Sequence, residues 1–255
     1  MAVDIGNTSI SIGLFEKEEP YIINLATHPL RSAENYIHEI EKGLEKYGFP
    51  ERPDSAALCS VVSSHTEVFE KALSLICAKG NVPLIISHRV IKDMKFAVSV
   101  PAGVGPDRLA SSYGAFKLYG GPVVSVDLGT ATTLNFVSGD GVFLGGAILP
   151  GVSLMAKALK EATARLPFVD TGIEAPLIKE AIGRETSASI LSGIVYGTAG
   201  AVGRILEEAE MERLEQFKVA LTGGNSGLVA PFLKRIDYHE PALTLKGIRL
   251  IHMAS

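Results

Sequence analysis

The chain has 255 residues, 47% hydrophobic and 20% charged, which suits one large domain or two small ones and excludes a disordered chain. A net charge of −4 without a dense Lys/Arg cluster excludes a nucleic-acid footprint, and no uninterrupted apolar run reaches the roughly 18 residues of a membrane span. Asp4 interrupts the first apolar residues where a signal peptide would continue, and Cys59 and Cys77 lack disulfide or metal spacing, so a cytoplasmic globular protein with buried thiols is expected.

In chain order, Met1–Ile5 reads as an apolar strand carrying Asp4. Gly6, Asn7 and Thr8 make a turn, and Ser9–Phe15 alternates as a second strand. A third strand is expected near Tyr21–Ala26, then a helix over Ser32–Tyr47 and a strand over Ser55–Val62. A helix over His65–Lys79, a strand over Pro83–Ser87 and a helix from about Pro106 complete the first half. The opening then repeats: Val123–Val137 is an apolar strand with Asp127, a Gly129–Thr130 turn and an alternating second strand. A strand follows around Val142–Leu149, with helices over Ser153–Arg165 and Ser187–Met211. Strand Lys218–Thr222, helix Ser226–Lys234 and a last strand near Ala242–Leu245 close the chain. The repeat implies a duplicated α/β architecture with two domains, 1–118 and 119–255.

The two Asp-x-Gly hairpins carry the chemical signal. A tight glycine turn leaves backbone N–H groups free to meet an anion, and Thr8, Thr130 and Thr132 add hydroxyl donors. Asp4 and Asp127 offer carboxylate oxygens for a hard cation. Facing one another, such hairpins would grip a polyphosphate. Thr222-Gly223-Gly224-Asn225-Ser226 ends an apolar strand and opens a helix, where glycine lets the backbone approach a flat adenine or ribose. In Gly105-Pro106-Asp107-Arg108, the guanidinium fork suits a carboxylate, and Asp107 can accept a hydroxyl proton in a helix first turn. The six histidines show no zinc spacing and read as core or surface residues. Glu207–Glu215 reads as a solvated acidic face, and Gly193, Gly197, Gly200 and Gly203 as close helix packing, in the core or at a dimer contact.

The ordered trio resembles the phosphate-1, phosphate-2 and adenosine elements of the actin, hexokinase and acetate-kinase superfamily. Val104-Gly105-Pro106-Asp107-Arg108-Leu109, Gly145-Gly146-Ala147-Ile148-Leu149-Pro150-Gly151, Leu166-Pro167, Thr186 ahead of Ser192-Gly193, and Pro241–Gly247 narrow the resemblance to type III pantothenate kinases. That resemblance implies two ribonuclease-H-like (actin-like ATPase) lobes, each a mixed five-stranded sheet with flanking helices. It implies ATP-dependent phosphorylation of pantothenate, with Mg²⁺ and a monovalent cation, K⁺ or NH₄⁺. By position, Asp4, Ile5, Gly6, Asn7, Thr8, Ser9, Ile10 and Ser11 would line the ATP phosphates, with Thr130 from the second hairpin and Gly223 and Gly224 at the adenosine. Asp107 would be the proton acceptor. Val98, Gly105, Pro106, Asp107, Arg108 and Thr186 would contact pantothenate, with Thr186 supplied by the partner subunit of a homodimer. Asp127 would hold the monovalent cation and Asp4 would reach Mg²⁺ through water. Val98 stands where the family often has Tyr, and Pro106 where it often has Ala. No nucleic-acid or membrane partner is implied. The rival readings are a transcriptional accessory protein without catalysis, or another small-molecule kinase or phosphatase on the same clamp.

Overall fold

The computed structural model describes residues 1–49, 51–78, 81–172 and 180–255. Two compact units divide the chain: Met1–Leu118 with Ala242–Ser255, and Tyr119–Pro241.

In the first unit β1 (Ala2–Ile5) turns into β2 (Ser9–Phe15), which turns into β3 (Pro20–Ala26). The two-residue period of a strand sorts the side chains. The pairs Val3↔Ile12 and Ile5↔Ile10 share the buried face, and the pair Asp4↔Ser11 lies on the other. Helix α1 (Ala33–Lys46) starts at Ser32, whose Oγ accepts the N–H of Asn35. Its Tyr36 and Ile40 join Phe69 and Leu73 of α2 (Ser63–Ile76) over Val3, Ile5 and Ile10. Strands β4 (Ala57–Ser60) and β5 (Leu84–Ile85) extend the sheet, and β6 (Lys95–Phe96) and α3 (Pro106–Tyr119) follow. The order is β3-β2-β1-β4-β5, antiparallel across β1, β2 and β3 and parallel from β1 through β4 to β5.

The second unit repeats this strand for strand. Its elements are β7 (Val123–Leu128), β8 (Ala131–Val137), β9 (Val142–Pro150), α4 (Val152–Ala162), α5 (Thr186–Arg213), β10 (Lys218–Thr222), α6 (Ser226–Val229) and β11 (Tyr238–His239). The order β9-β8-β7-β10-β11 has the same parallel and antiparallel senses. Val126, Leu128 and Leu134 pack with Ile194, Val195 and Val202 of α5 in its core. The expected duplicated mixed sheets are therefore present.

Several expectations are corrected. The last strand expected near Ala242–Leu245 is instead the start of helix α7 (Leu243–Ala254). Its Leu243, Ile248 and Ile251 are buried at helical spacing, and it joins the first unit, packing on β1 and β4. Helix α6 stops at Val229 and passes into a 3₁₀ turn, because Pro231 cannot continue the α-helical ladder. Helix α2 begins at Ser63, two residues ahead of His65, and Lys79 lies outside the described residues. Helix α5, at 28 residues, is long and apolar enough to cross a bilayer by length and composition, since Gly, Ser and Thr interrupt its apolar run without charging it. Half of its most apolar stretch is buried within the protein, as a core helix requires.

Candidate active site

The first unit gathers two of the expected carboxylates around a thiol. Asp4 lies one residue before the end of β1, half-buried, with Ser11 opposite it on β2 and Cys59 opposite it on β4. Cys59 is fully buried and its thiol hydrogen-bonds the Asp4 side chain. Burial first, then the charges of Asp4 and Asp107, push that thiol well above its usual range. It therefore stays protonated and donates S–H to the Asp4 carboxylate.

Asp107 and Arg108 stand in the first turn of α3, behind Pro106, which tolerates that place because a first-turn N–H has no helical partner. The Arg108 N–H donates to Asp107 Oδ1 at 2.9 Å. A Cβ at Gly105 would lie 2.5 Å from that same oxygen, so the glycine makes room for the carboxylate to fold back. Burial lowers the Arg108 guanidinium pKa and neighbouring Asp107 opposes the shift. Val98 is half-buried shortly before the 3₁₀ turn Pro101–Gly103.

The first hairpin closes with Gly6 N–H donating to Ser9 O at 2.9 Å, leaving Asn7 and Thr8 as an exposed two-residue loop. Ser9 is also exposed and Ile10 points into the core. Behind the loop lies Thr27, fully buried, whose N–H donates to Thr8 O at 3.1 Å and whose Oγ1 donates to Gly6 O at 2.7 Å. Buried His65 donates from Nε2 to the Thr27 carbonyl at 2.7 Å.

The second unit builds a matching arrangement. Asp127 lies opposite Thr133 on β8 and Thr222 on β10. Gly129 N–H donates to Ala131 O at 3.1 Å, so the loop is the single exposed residue Thr130. Gly223 has φ +96°, and a Cβ there would sit 2.5 Å from both Asp127 Oδ1 and Leu128 N. Glycine thus supplies both the left-handed backbone and the close approach. Asn225 N–H donates to Leu128 O at 2.9 Å and its Nδ2 to Gly129 O at 3.3 Å. Within this unit Asp127 and Gly223 come together, with Gly129 near the same carboxylate and Gly224 in open space. Thr132 does not join them. It is buried opposite Leu128, and its hydroxyl has no hydrogen-bond partner among the described residues. Thr186 opens α5 and is exposed.

Thr27, His65, Gly151 and Asn225 support the hairpins, and no spacing in the sequence marks that role. The one signal for them is positional: Thr27 and Gly151 each follow the third strand of their repeat, after β3 and β9. The carboxylate and hydroxyl oxygens present are hard donors that suit Mg²⁺ or an alkali cation rather than a soft metal. Among the described residues no three His, Cys, Asp or Glu side chains gather as a metal cage. A single carboxylate beside phosphate oxygens is a usual Mg²⁺ arrangement.

The family profile described as type III pantothenate kinase matches residues 1–208. A type III pantothenate kinase from Dehalococcoides mccartyi is 34% identical over 257 aligned positions, covering 99% of this chain and 96% of the relative. Among solved structures, a Campylobacter jejuni protein described as a Baf family transcriptional activator superposes with a TM-score of 0.61 at 18% identity, over 99% of this chain and 97% of that one. The Clostridium difficile activator of 2-hydroxyisocaproyl-CoA dehydratase, with bound ADPNP, gives 0.53 at 13% identity, over 99% and 94%. The structural likenesses establish a shared fold; the sequence likeness, running the length of the chain, establishes that it belongs to the type III pantothenate kinase family.

Proposed function

We propose that this protein uses ATP to phosphorylate the primary hydroxyl of pantothenate, giving 4′-phosphopantothenate, the first step of coenzyme A synthesis. The observation that carries this is the duplicated Asp-x-Gly hairpin in a chain matched to the family over residues 1–208. Asp107 accepts the hydroxyl proton as that oxygen attacks the γ-phosphorus, and the bond from phosphorus to the ADP oxygen breaks. Arg108 pairs with the pantothenate carboxylate, with Gly105, Pro106 and Val98 beside the substrate. The loop spanning Asp4–Ser11 takes the ATP phosphates, Thr130 adds a second contact, and Gly223 and Gly224 lie against the adenosine.

Asp4 would hold Mg²⁺ and Asp127 a monovalent cation, K⁺ or NH₄⁺. When bound, these cations offset phosphate charge. Thr186, exposed at the start of α5, contributes to the pantothenate site of a partner subunit, so the protein acts as a cytoplasmic homodimer. A binding role without catalysis is not favoured, because Asp4, Asp107, Arg108, Asp127 and Thr186 are all in place.

The test is a coupled assay with pantothenate, ATP, Mg²⁺ and K⁺. Folded wild-type protein is expected to form 4′-phosphopantothenate, with Asp107→Asn lowering kcat by about 10²–10⁴. Absence of product from folded wild type overturns the proposal.

A further inference from the structure

The first hairpin loop is held by a chain of buried polar contacts that the proposed reaction does not explain. Thr27 uses all three of its polar groups. Its N–H and Oγ1 bind the carbonyls of Thr8 and Gly6, and its own carbonyl accepts Nε2–H of His65. Because a carbonyl only accepts, that bond places a proton on Nε2 of His65, and Nδ1 shares a second hydrogen bond with Ser64 Oγ at 3.2 Å. Both residues are buried, Thr27 fully and His65 to 1% exposure. A hydroxyl and an imidazole removed from water and bonded this completely hold one geometry.

The consequence follows from peptide planarity. In a trans peptide the C=O and N–H of one plane point in opposite directions. The Gly6 carbonyl shares its plane with the Asn7 N–H, and that bond is trans, the cis bonds among the described residues being His28–Pro29 and Gly121–Pro122. Fixing Gly6 O on Thr27 therefore turns the Asn7 N–H away from Thr27, toward the exposed side of the loop. Glycine alone would not hold this, since its backbone is permissive and the plane could turn over. The second unit reaches the same result: Gly129 O is bound by Asn225 Nδ2, and Thr130 O by Gly151 N–H at 3.1 Å.

We infer that Thr27, braced by His65, is a positioning residue for the ATP phosphates, keeping the Asn7 N–H preorganised toward the anion. The inference rests on the nucleotide role proposed for this loop. A donor already aimed spends no binding energy on reorientation, so its loss should appear in nucleotide affinity.

The test is steady-state kinetics on Thr27→Val, which keeps the shape and removes the hydroxyl, beside Thr27→Ser, which keeps it, with calorimetry of Mg·ATP and Mg·ADP on each. Thr27→Val is expected to raise the KM for ATP and the nucleotide Kd by about tenfold, the scale of one hydrogen bond. The KM for pantothenate should stay within about twofold, and Thr27→Ser should recover most of the loss. His65→Leu should show the same pattern more weakly, and Thr27→Ala replaces Thr27→Val if the valine variant does not fold. An unchanged KM for ATP and unchanged nucleotide Kd, an equal rise in both KM values, or no recovery by serine overturns the inference. If wild type binds nucleotide but leaves pantothenate untouched, the proposed reaction fails while the calorimetry still decides the role of Thr27.

Discussion

The two hairpins have the same bonds made by different residues. In each unit the residue just after the third strand donates its N–H to the carbonyl of the last loop residue: Thr27 to Thr8, and Gly151 to Thr130, both at 3.1 Å. In each, a side chain binds the carbonyl of the turn glycine: Thr27 Oγ1 to Gly6, and Asn225 Nδ2 to Gly129. In the first unit Thr27 does both jobs. In the second they are split, and Gly151 sits so close that a Cβ would be 2.3 Å from Gly129 O and 2.4 Å from Thr130 O. What the repeat has kept is the direction of two carbonyls. One unit keeps it with a buried hydroxyl, the other with backbone contact and an amide.

That contrast predicts unequal tolerance. Gly151→Ala should have the largest effect, because the oxygens in its way belong to backbone that cannot swing aside. A cost of about 3 kcal/mol is expected, read as a fall in Tm of roughly 6–12 °C for a chain of this size. Thr27→Gly, which gives the first unit the residue of the second, should cost less. It loses one hydrogen bond, about 1 kcal/mol, and gains glycine's unfolded-state freedom, about 0.5–1 kcal/mol. If Thr27→Gly proved as damaging as Gly151→Ala, close backbone contact would not be what separates the two hairpins.

Asn225→Ala comes next. Its bond to Gly129 O is longer, at 3.3 Å, than the 2.7 Å bond from Thr27 to Gly6 O. The Asn225 backbone N–H still binds Leu128 O in the variant. A loss of about 0.5–1 kcal/mol in stability is expected, with nucleotide affinity falling less than in Thr27→Val. Calorimetry with Mg·ADP on both variants ranks the two directly, and the reverse order would mean that the second hairpin carries more of the phosphate contact.

The repeat was legible because an apolar strand followed by Asp-x-Gly is a local pattern, and local patterns can be read along a chain. The supports were not. His65 lies 38 positions from Thr27, and neither residue type announces the other. Asn225 stands in a loop whose sequence signal is its glycines, yet it is the amide that reaches Gly129. The end of the chain failed for another reason. Ala242–Leu245 is a short apolar run that fits strand or helix equally. Only the continuation through Ile248 and Ile251 sets the helical period. Its Gly247, where a Cβ would be 1.9 Å from Ala110 O, shows how tightly α7 lies on α3, a contact between distant segments. Both aspartates of the first unit stand in local motifs, but the thiol that Asp4 shares with β4 depends on strand pairing and is invisible before the sheet is assembled.

Cys59 offers the smallest effect and the sharpest pH signature. It faces Asp4 as Thr222 faces Asp127, so at this register position one unit has a thiol and the other a hydroxyl. Cys59→Ser keeps a donor to Asp4, and near pH 7 it should change stability by less than about 1 kcal/mol. The difference should emerge on the alkaline side. The folded thiol is held above its usual range by burial and by Asp4 and Asp107, whereas an unfolded chain releases that proton near pH 8.5. Below that value the contribution is complete. Above it the unfolded state binds fewer protons than the folded one, and stability falls by up to about 1.4 kcal/mol per pH unit until the folded thiol itself titrates. Cys77, also raised chiefly by burial, adds a second such slope. Denaturant titrations from pH 7 to 10 should therefore show a shallower alkaline decline in Cys59→Ser than in wild type, with part of the slope kept by Cys77. Identical slopes would mean that the folded Cys59 thiol titrates where the unfolded one does, which a buried thiol donating to the Asp4 carboxylate cannot do.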